Sequence, residues 1–224
     1  MNFSLPTIDE SIISRWPATA LGCLVYSTSV IKMNFELCGF LKETVIPGMA
    51  GTLNTAQISD LPNLKEGRAA YKAFGIDPGR YRISSEALYR RLRQGKELYQ
   101  INSLVDTNNL VSIETGFSLG SYDLVNIGPD VVFRLGKAGE AYQGIGKDSI
   151  ALENMPLLAD DKGPFGSPTS DSTRAMITEK TDRAMTVIFC FSGTEALQSA
   201  LSLAAERFRR FAKATDLEVF TVSR

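Results

Sequence analysis

Histidine is absent from this chain. That one absence removes Ser-His-Asp and Cys-His nucleophile systems, histidine zinc sites and imidazole acid–base chemistry together. The chemistry left over must rest on carboxylates, hydroxyls, lysine or tyrosine. Cysteine is scarce too. Cys23, Cys38 and Cys190 form no CxxC pair and lie in apolar surroundings, where a free thiol acts as a small hydrophobe, so a reducing, cytoplasmic setting is expected. No apolar run reaches the roughly 18 residues that a membrane span needs. Residues 1–16 place acids before the first arginine and contain no apolar core of the secretory kind. Neither sign of charge dominates: 24 Lys and Arg face 25 Asp and Glu, for a net charge of −1, and there is no strongly basic tail. Bulk attraction to polyanions is thereby excluded, and any nucleic-acid contact must come from a local patch. Internal repeats and low-complexity segments are also missing.

What is present is 224 residues, 44% of them hydrophobic, enough for one globular domain with a sizeable core. Residues 1–60 are expected to be an N-terminal extension that completes the fold, and residues 61–224 the main domain. The spacing predicts a short helix over 8–15, started by Thr7 or Asp9, and a strand or hairpin over 20–33. Proline, glycine, serine, threonine and asparagine interrupt every period over 45–63, which reads as an irregular connection. A helix over 64–74 should end at Gly75, and another should run from Ser84 or Ser85 to Gln94, stopped by Gly95. Residues 125–160 alternate in short segments between glycine and aspartate clusters, as strands and turns do. A buried strand over 184–191 leads to Ser192-Gly193-Thr194-Glu195, which has the form of a capping box. Leu197, Leu201, Ala204, Phe208 and Phe211 then repeat at helical spacing.

Three places can carry function. In the first, Asn102, Asp106 and Asn109 are four and three residues apart, so a helix from Ser103 stacks them on one face opposite Leu104, Val105, Leu110, Val111 and Ile113. Buried amides and carboxylates must find partners, so such a row either fastens the adjacent turn or lines a pocket. In the second, Arg80, Arg82, Arg90, Arg91, Arg93 and Lys96 are interleaved with Tyr81, Tyr89 and Tyr99. Cations neutralise phosphates and rings stack on unpaired bases, which suits RNA; the plain alternative is a solvated helix face with inward tyrosines. The third is the loop 163–174, where Ser170, Ser172 and Thr173 surround Asp171 and the loop ends in Arg174, so hydroxyls and a guanidinium could hold a carboxylate or phosphate. Asp160-Asp161-Lys162-Gly163 lacks the ligand spacing of a calcium loop and reads as a turn. No metal or cofactor is expected.

Residues 101–123, INSLVDTNNLVSIETGFSLGSYD, also resemble a segment of the editing (B3/B4) domain of the phenylalanyl-tRNA synthetase β subunit, written roughly as NPxVDxTNYVxLExGxPxHAFD. Asn102, Val105, Asp106, Asn109, Val111, Glu114, Gly116, Leu119 and Asp123 fall in register, with Tyr122 in place of the phenylalanine. The similarity continues through 124–127, 131–134 and 158–161 and closes with 177–181 running into 184–191, so it covers about residues 83–191. The resemblance implies an α+β fold, a mixed or antiparallel sheet flanked by helices. It implies a pocket drawn from Tyr99, Asn102, Asp106, Asn109, Gly120, Ser121, Tyr122 and residues 170–174. The synthetase editing residues are not retained: Gly120 stands for the histidine, Tyr99 for an arginine, Ser118 for a proline, and Thr173 for the pocket glutamate. The ending G-[GS]-Y-D is similar to that of free-standing relatives of the domain.

Two readings of function follow. In one, the chain is an RNA-binding module for tRNA or aminoacyl-tRNA, extending to a trans-acting deacylase, with catalytic residues unassigned. In the other, it is a non-catalytic binder of an amino-acid-like small molecule with no RNA contact. A structural interaction module is a third option. Neither DNA nor a membrane is an expected partner.

Overall fold

The computed structural model describes residues 4–55 and 57–224. Residues 1–3 of the N-terminal extension, and Ala56 in the stretch expected to be irregular, lie outside them. In chain order the elements are β1 (Thr7–Ile8), α1 (Glu10–Ile13), β2 (Ala20–Ser27), α2 (Phe35–Phe40), a π-helical turn (Leu41–Val45), α3 (Ile46–Thr55), α4 (Pro62–Ala73), α5 (Ser84–Arg93) and α6 (Ser103–Thr115). They continue as β3 (Ser118–Asp123), β4 (Val132–Leu135), β5 (Ala141–Gln143), β6 (Ser149–Ala151), β7 (Pro156–Asp160), β8 (Gly163–Gly166), β9 (Arg183–Cys190), α7 (Thr194–Phe211) and β10 (Thr215–Val222).

β2 and β9 carry almost unbroken apolar runs and are buried along nearly their whole length, as central strands covered on both faces must be. They form the middle of an antiparallel sheet ordered β10-β2-β9-β3. One face, with Leu24, Tyr26, Leu119 and Ile188, packs with Leu104 and Val111 of α6 and Leu197, Leu201 and Phe208 of α7. The other face, with Leu21, Cys23, Tyr122, Val187 and Phe189, meets a second sheet ordered β1-β4-β7-β8. Phe133 lies 5.4 Å from Phe189, and Phe165 sits edge-on to Tyr122 at 5.0 Å. Outside the second sheet, the β5–β6 hairpin adds Tyr142 and Ile150 against Leu157 and Ala159. The architecture is α+β, with mixed sheets flanked by helices. Residues 7–27 of the extension supply β1, paired in parallel with β4, and the central strand β2.

Local signals place most elements. Asp9 caps α1 through Ser11 N, Gly75 and Gly95 take positive φ after α4 and α5, and Asn102 caps α6 by accepting from Leu104 N and Val105 N. α6 is buried on nearly every side, so its apolar residues do not form one stripe: Leu104 and Val111 face α7, while Leu110 and Ile113 join the other core.

Four expectations are corrected. The stretch 45–63 is mostly helical: α3 continues α2 through the π-helical turn, and α4 begins at Pro62. Ile46 N–H reaches back to Leu41 O, a widened turn directly before Pro47, where the pyrrolidine ring needs room and no donor is available. The strand or hairpin expected over 20–33 is a single strand that ends at Ser27, opposite Arg183 where β9 begins, and Ile31 O beyond it accepts from Ser103 N at 2.8 Å. The capping box at 192–195 is not made: α7 starts after Gly193 with no side-chain cap, and Ser192 Oγ donates to Asn63 Oδ1 instead. Neither Ser84 nor Ser85 caps α5, since Ser85 Oγ pairs with Ser118 Oγ and Ile83 takes the cap position.

Gly22 lets α7 approach the sheet: a Cβ there would stand 2.7 Å from Leu201 Cδ2. Gly22→Val should therefore cost about 1–3 kcal/mol by overpacking. Adding Leu201→Ala should recover part of that loss in urea unfolding, and two losses that simply add would refute the contact.

Candidate functional site

The residues singled out by sequence fall into three separate places. The first surrounds Asp171. Tyr122 OH donates to Asp171 Oδ1 at 2.9 Å and Ser167 N donates to the same oxygen at 3.1 Å, so Oδ2 accepts no hydrogen bond from the described residues. Tyr142 OH donates to Ser170 O, and Tyr71 OH pairs with Thr169 Oγ1 at 2.9 Å. Three tyrosine hydroxyls thus pin the 167–171 loop, and Ile145 N fixes Asp171 O at 3.0 Å. Burial raises Asp171 to about 7, against smaller opposing effects of Tyr122, Ser167 N–H and Lys147. Burial also raises all three phenols, so they remain protonated donors.

Gly120 belongs here as well. A Cβ on Gly120 or on Gly166 would overlap the Tyr122 hydroxyl, so Tyr122 occupies the space beside both glycines. Ser121, on the opposite face of β3, lies elsewhere: its Oγ donates to Asn108 Oδ1 at 3.0 Å and pairs with Thr186, which in turn pairs with Tyr26. Ser172 caps the turn Thr173–Ala175 through Arg174 N. Arg174 grips Asp160 with two nitrogens at 3.0 and 2.9 Å and also donates to Asn126 O and Gly163 O, so its four terminal N–H groups are spent within the fold. Asp160 accepts Lys162 N in the β7–β8 turn, as expected for 160–163.

The second place is a cavity of about 250 Å³ walled by Leu37, Cys38, Leu41, Ile46 and Leu98, with Asp106 in its lining. Tyr99 stands at its edge, 55% exposed, with the Arg91 guanidinium 3.8 Å from its ring centroid. Asp106 is 5% exposed and takes Ile101 N at 2.9 Å. Burial raises it to about 6, against the N–H groups of Ile101 and Asn102. Asn102 is spent as the α6 cap, and Asn109, half-buried one turn on from Asp106, makes no side-chain hydrogen bond with the described residues. A larger cavity, about 640 Å³, opens between the π-helical turn with α3 and the far end of α6. Its charged lining is already paired, Arg207 to Glu114 at 2.9 and 2.8 Å.

The third place is α5 and its flanks. Arg80, Arg82, Arg93 and Lys96 are exposed, and Arg90 and Arg91 partly so. Tyr89 turns inward, donating to Ile113 O, while Tyr81 is half-buried under Arg80. Glu86 is fully buried and held by Arg68 at 2.9 Å and Arg90 at 2.8 Å.

Sequence reading overlooked Tyr71, Tyr142 and the α2 wall residues. Only the latter left a signal: Asn34 before Phe35-Glu36-Leu37 is a cap followed by an acid in the first turn, and Asn34 does accept from Leu37 N.

Comparison with known proteins gives the family. The B3/4 domain matches residues 66–222, well over half of the sequence, and the chain belongs to that family. Among solved structures it is similar to an N-terminal fragment of the phenylalanyl-tRNA synthetase beta-subunit from Pyrococcus horikoshii, at 13% identity and a TM-score of 0.43, over 99% of this chain and 53% of that one. The chain thus spans about half the length of that fragment. No curated protein matches it. Among the described residues, no helix is long and apolar enough to cross a membrane.

Two outcomes are expected at the Asp171 site. Gly120→Ala should destabilise the chain by about 1–3 kcal/mol in urea unfolding, and Tyr122→Phe in that background should return part of it; a neutral Gly120→Ala would show that Tyr122 moves freely. Because Asp171 is raised from 3.8 to about 7, its stability contribution is complete below 3.8 and lost as pH rises through about 7. Asp171→Asn keeps an acceptor for Tyr122, so thermal unfolding should find the variant gaining on the parent as pH rises from 4 to 8. A constant gap between the two curves would rule this out.

Proposed function

We propose that this B3/4 domain is an RNA-binding module whose ligand is a tRNA or its aminoacylated end. The supporting observation is the cationic ridge on and around α5, ending in the Arg91–Tyr99 stack. The net charge of −1 gives no general attraction to RNA, so the ridge must act locally. Glu86 does not cancel it, because that one buried carboxylate is shared by three guanidiniums, Arg68 of α4 at 2.9 Å, Arg90 at 2.8 Å and Arg82 at 3.8 Å, which leaves positive charge in excess. Exposed Arg80, Arg82, Arg93 and Lys96 suit phosphates, and the exposed Tyr99 ring, braced by Arg91, offers a stacking surface for an unpaired base.

Hydrolysis of the aminoacyl bond is the extension of this reading. Asp171, tuned near neutrality and with one oxygen free, is the carboxylate suited to act as a base there. Neither cavity is lined by it, however, so binding is the reading supported better.

The test is binding of uncharged and aminoacylated tRNA across a salt series, with amino-acid release followed in the same tubes. Arg80→Gln, Arg93→Gln and Lys96→Gln together should weaken binding at least about tenfold at low salt and lower the salt slope by about 2, at roughly 0.7 per phosphate contact to a single strand. Binding that ignores salt, or a triple variant indistinguishable from the parent, would sink the reading. Release that disappears in Asp171→Asn would extend it to catalysis.

A further inference from the structure

Three carboxylates withdrawn wholly or partly from solvent are neutralised by arginine: Glu86 by Arg68 and Arg90, Asp160 by Arg174, Glu114 by Arg207. Asp106 is not. At 5% exposure its partners are backbone N–H groups alone, with no side chain donating to it among the described residues. A carboxylate removed from water without a counter-charge is costly. Asp123 and Asp171 also lack an arginine, but hydroxyls of Thr181 and Tyr122 serve them, and neither lines the 250 Å³ or the 640 Å³ cavity. Asp106 does.

We infer that the 250 Å³ cavity between α2, the π-helical turn and the start of α6 binds a small molecule carrying a protonated amine on an aliphatic body, with the amine on Asp106. The charge balance favours a cation. Of the ionisable groups lining the cavity, Lys42 and Glu97 lie at the exposed rim, Cys38 is held neutral by burial and by Asp106, and Tyr99 is uncharged, so Asp106 leaves one negative charge in excess. Lys42 makes no ion pair with any described residue. The walls decide the rest of the ligand: Leu37, Leu41, Ile46 and Leu98 offer no hydrogen bond from their side chains and favour a branched hydrocarbon. A metal ion finds no set of three protein ligands among the described residues. A water molecule could donate to Asp106 but would leave its charge uncompensated.

The shared chemistry, an ammonium on a short aliphatic chain, has two sources: a free amine, or an aminoacyl group esterified to RNA. The second rests on the RNA-binding reading above, while the first does not.

Calorimetry on the full chain separates them, with isopentylamine, leucine methyl ester and N-acetyl-leucine methyl ester as probes. The two amines should bind and the acetylated ester should not. Asp106→Asn, which keeps an acceptor for Ile101 N, should weaken amine binding at least tenfold, and Ile46→Phe, which fills the cavity without touching the carboxylate, should abolish it. Isopentylamine stays protonated from pH 5 to 8, so its affinity should fall as pH drops through about 6 and Asp106 takes up its proton. Equal binding of the acetylated ester, undiminished binding by either variant, or no binding of either amine would overturn the inference. Amine binding without RNA binding would leave the cavity assignment standing and remove the RNA reading; RNA binding without amine binding would do the reverse. If both occur, leucyl-tRNA competing with isopentylamine where uncharged tRNA does not assigns the aminoacyl source, and no competition assigns the free amine.

Discussion

The eight antiparallel pairs between Ala20–Ser27 and Arg183–Cys190 are the constraint on which the rest of the structure depends. Their two strands are far apart in sequence, and their pairing must close a long loop before it gains any burial. Once formed, it offers an apolar surface on each side: one takes α6 and α7, the other takes the second sheet. Every place discussed above hangs from that layer. β3 joins it at the edge through β9 and carries Gly120 and Tyr122 toward the second sheet, and α6 is laid against its far face with Asp106 pointing away from α7, into the smaller cavity.

Tyr122 shows how one side chain can fill the space that two glycines leave open. Along β3 alternate residues share a face, so positions 120 and 122 look the same way. With glycine at 120, the Tyr122 hydroxyl takes the adjoining space and reaches Asp171, closing the gap with a side chain two residues later. The loop 167–171 is thereby held by buried phenols, and the carboxylate that lines the smaller cavity is Asp106.

Much of the fold was legible in sequence because local chemistry decides it. Gly75, Gly95, Asn102 and the apolar run of β9 each mark a boundary or a buried element by themselves. The errors arose where distant partners decide. Pro47, Gly48 and Gly51 are signals against a helix, yet α3 forms as the continuation of α2 after the π-helical turn. Ser192 reads as a cap, but Asn63 across the fold claims its hydroxyl. The cluster at Asp171 draws on residues 71, 122, 142 and 167–170, which share no spacing that one sequence could reveal. The basic stretch was legible as composition; that Glu86 is withdrawn into the core by Arg68 was not.

The π-helical turn at Leu41–Val45 also sets an angular phase. Each residue advances a helix by about 100°, so one additional residue in a turn rotates everything after it relative to everything before it. Before the turn, Leu37 and Cys38 face the smaller cavity; after it, Met49 and Thr52 face the larger one, and Leu41 and Ile46 still reach the smaller. A single helix thus forms a shared wall between two chambers with different linings. Shortening the turn by one residue would swing Ile46 and Met49 around the axis together, so the shapes of the two chambers cannot evolve independently.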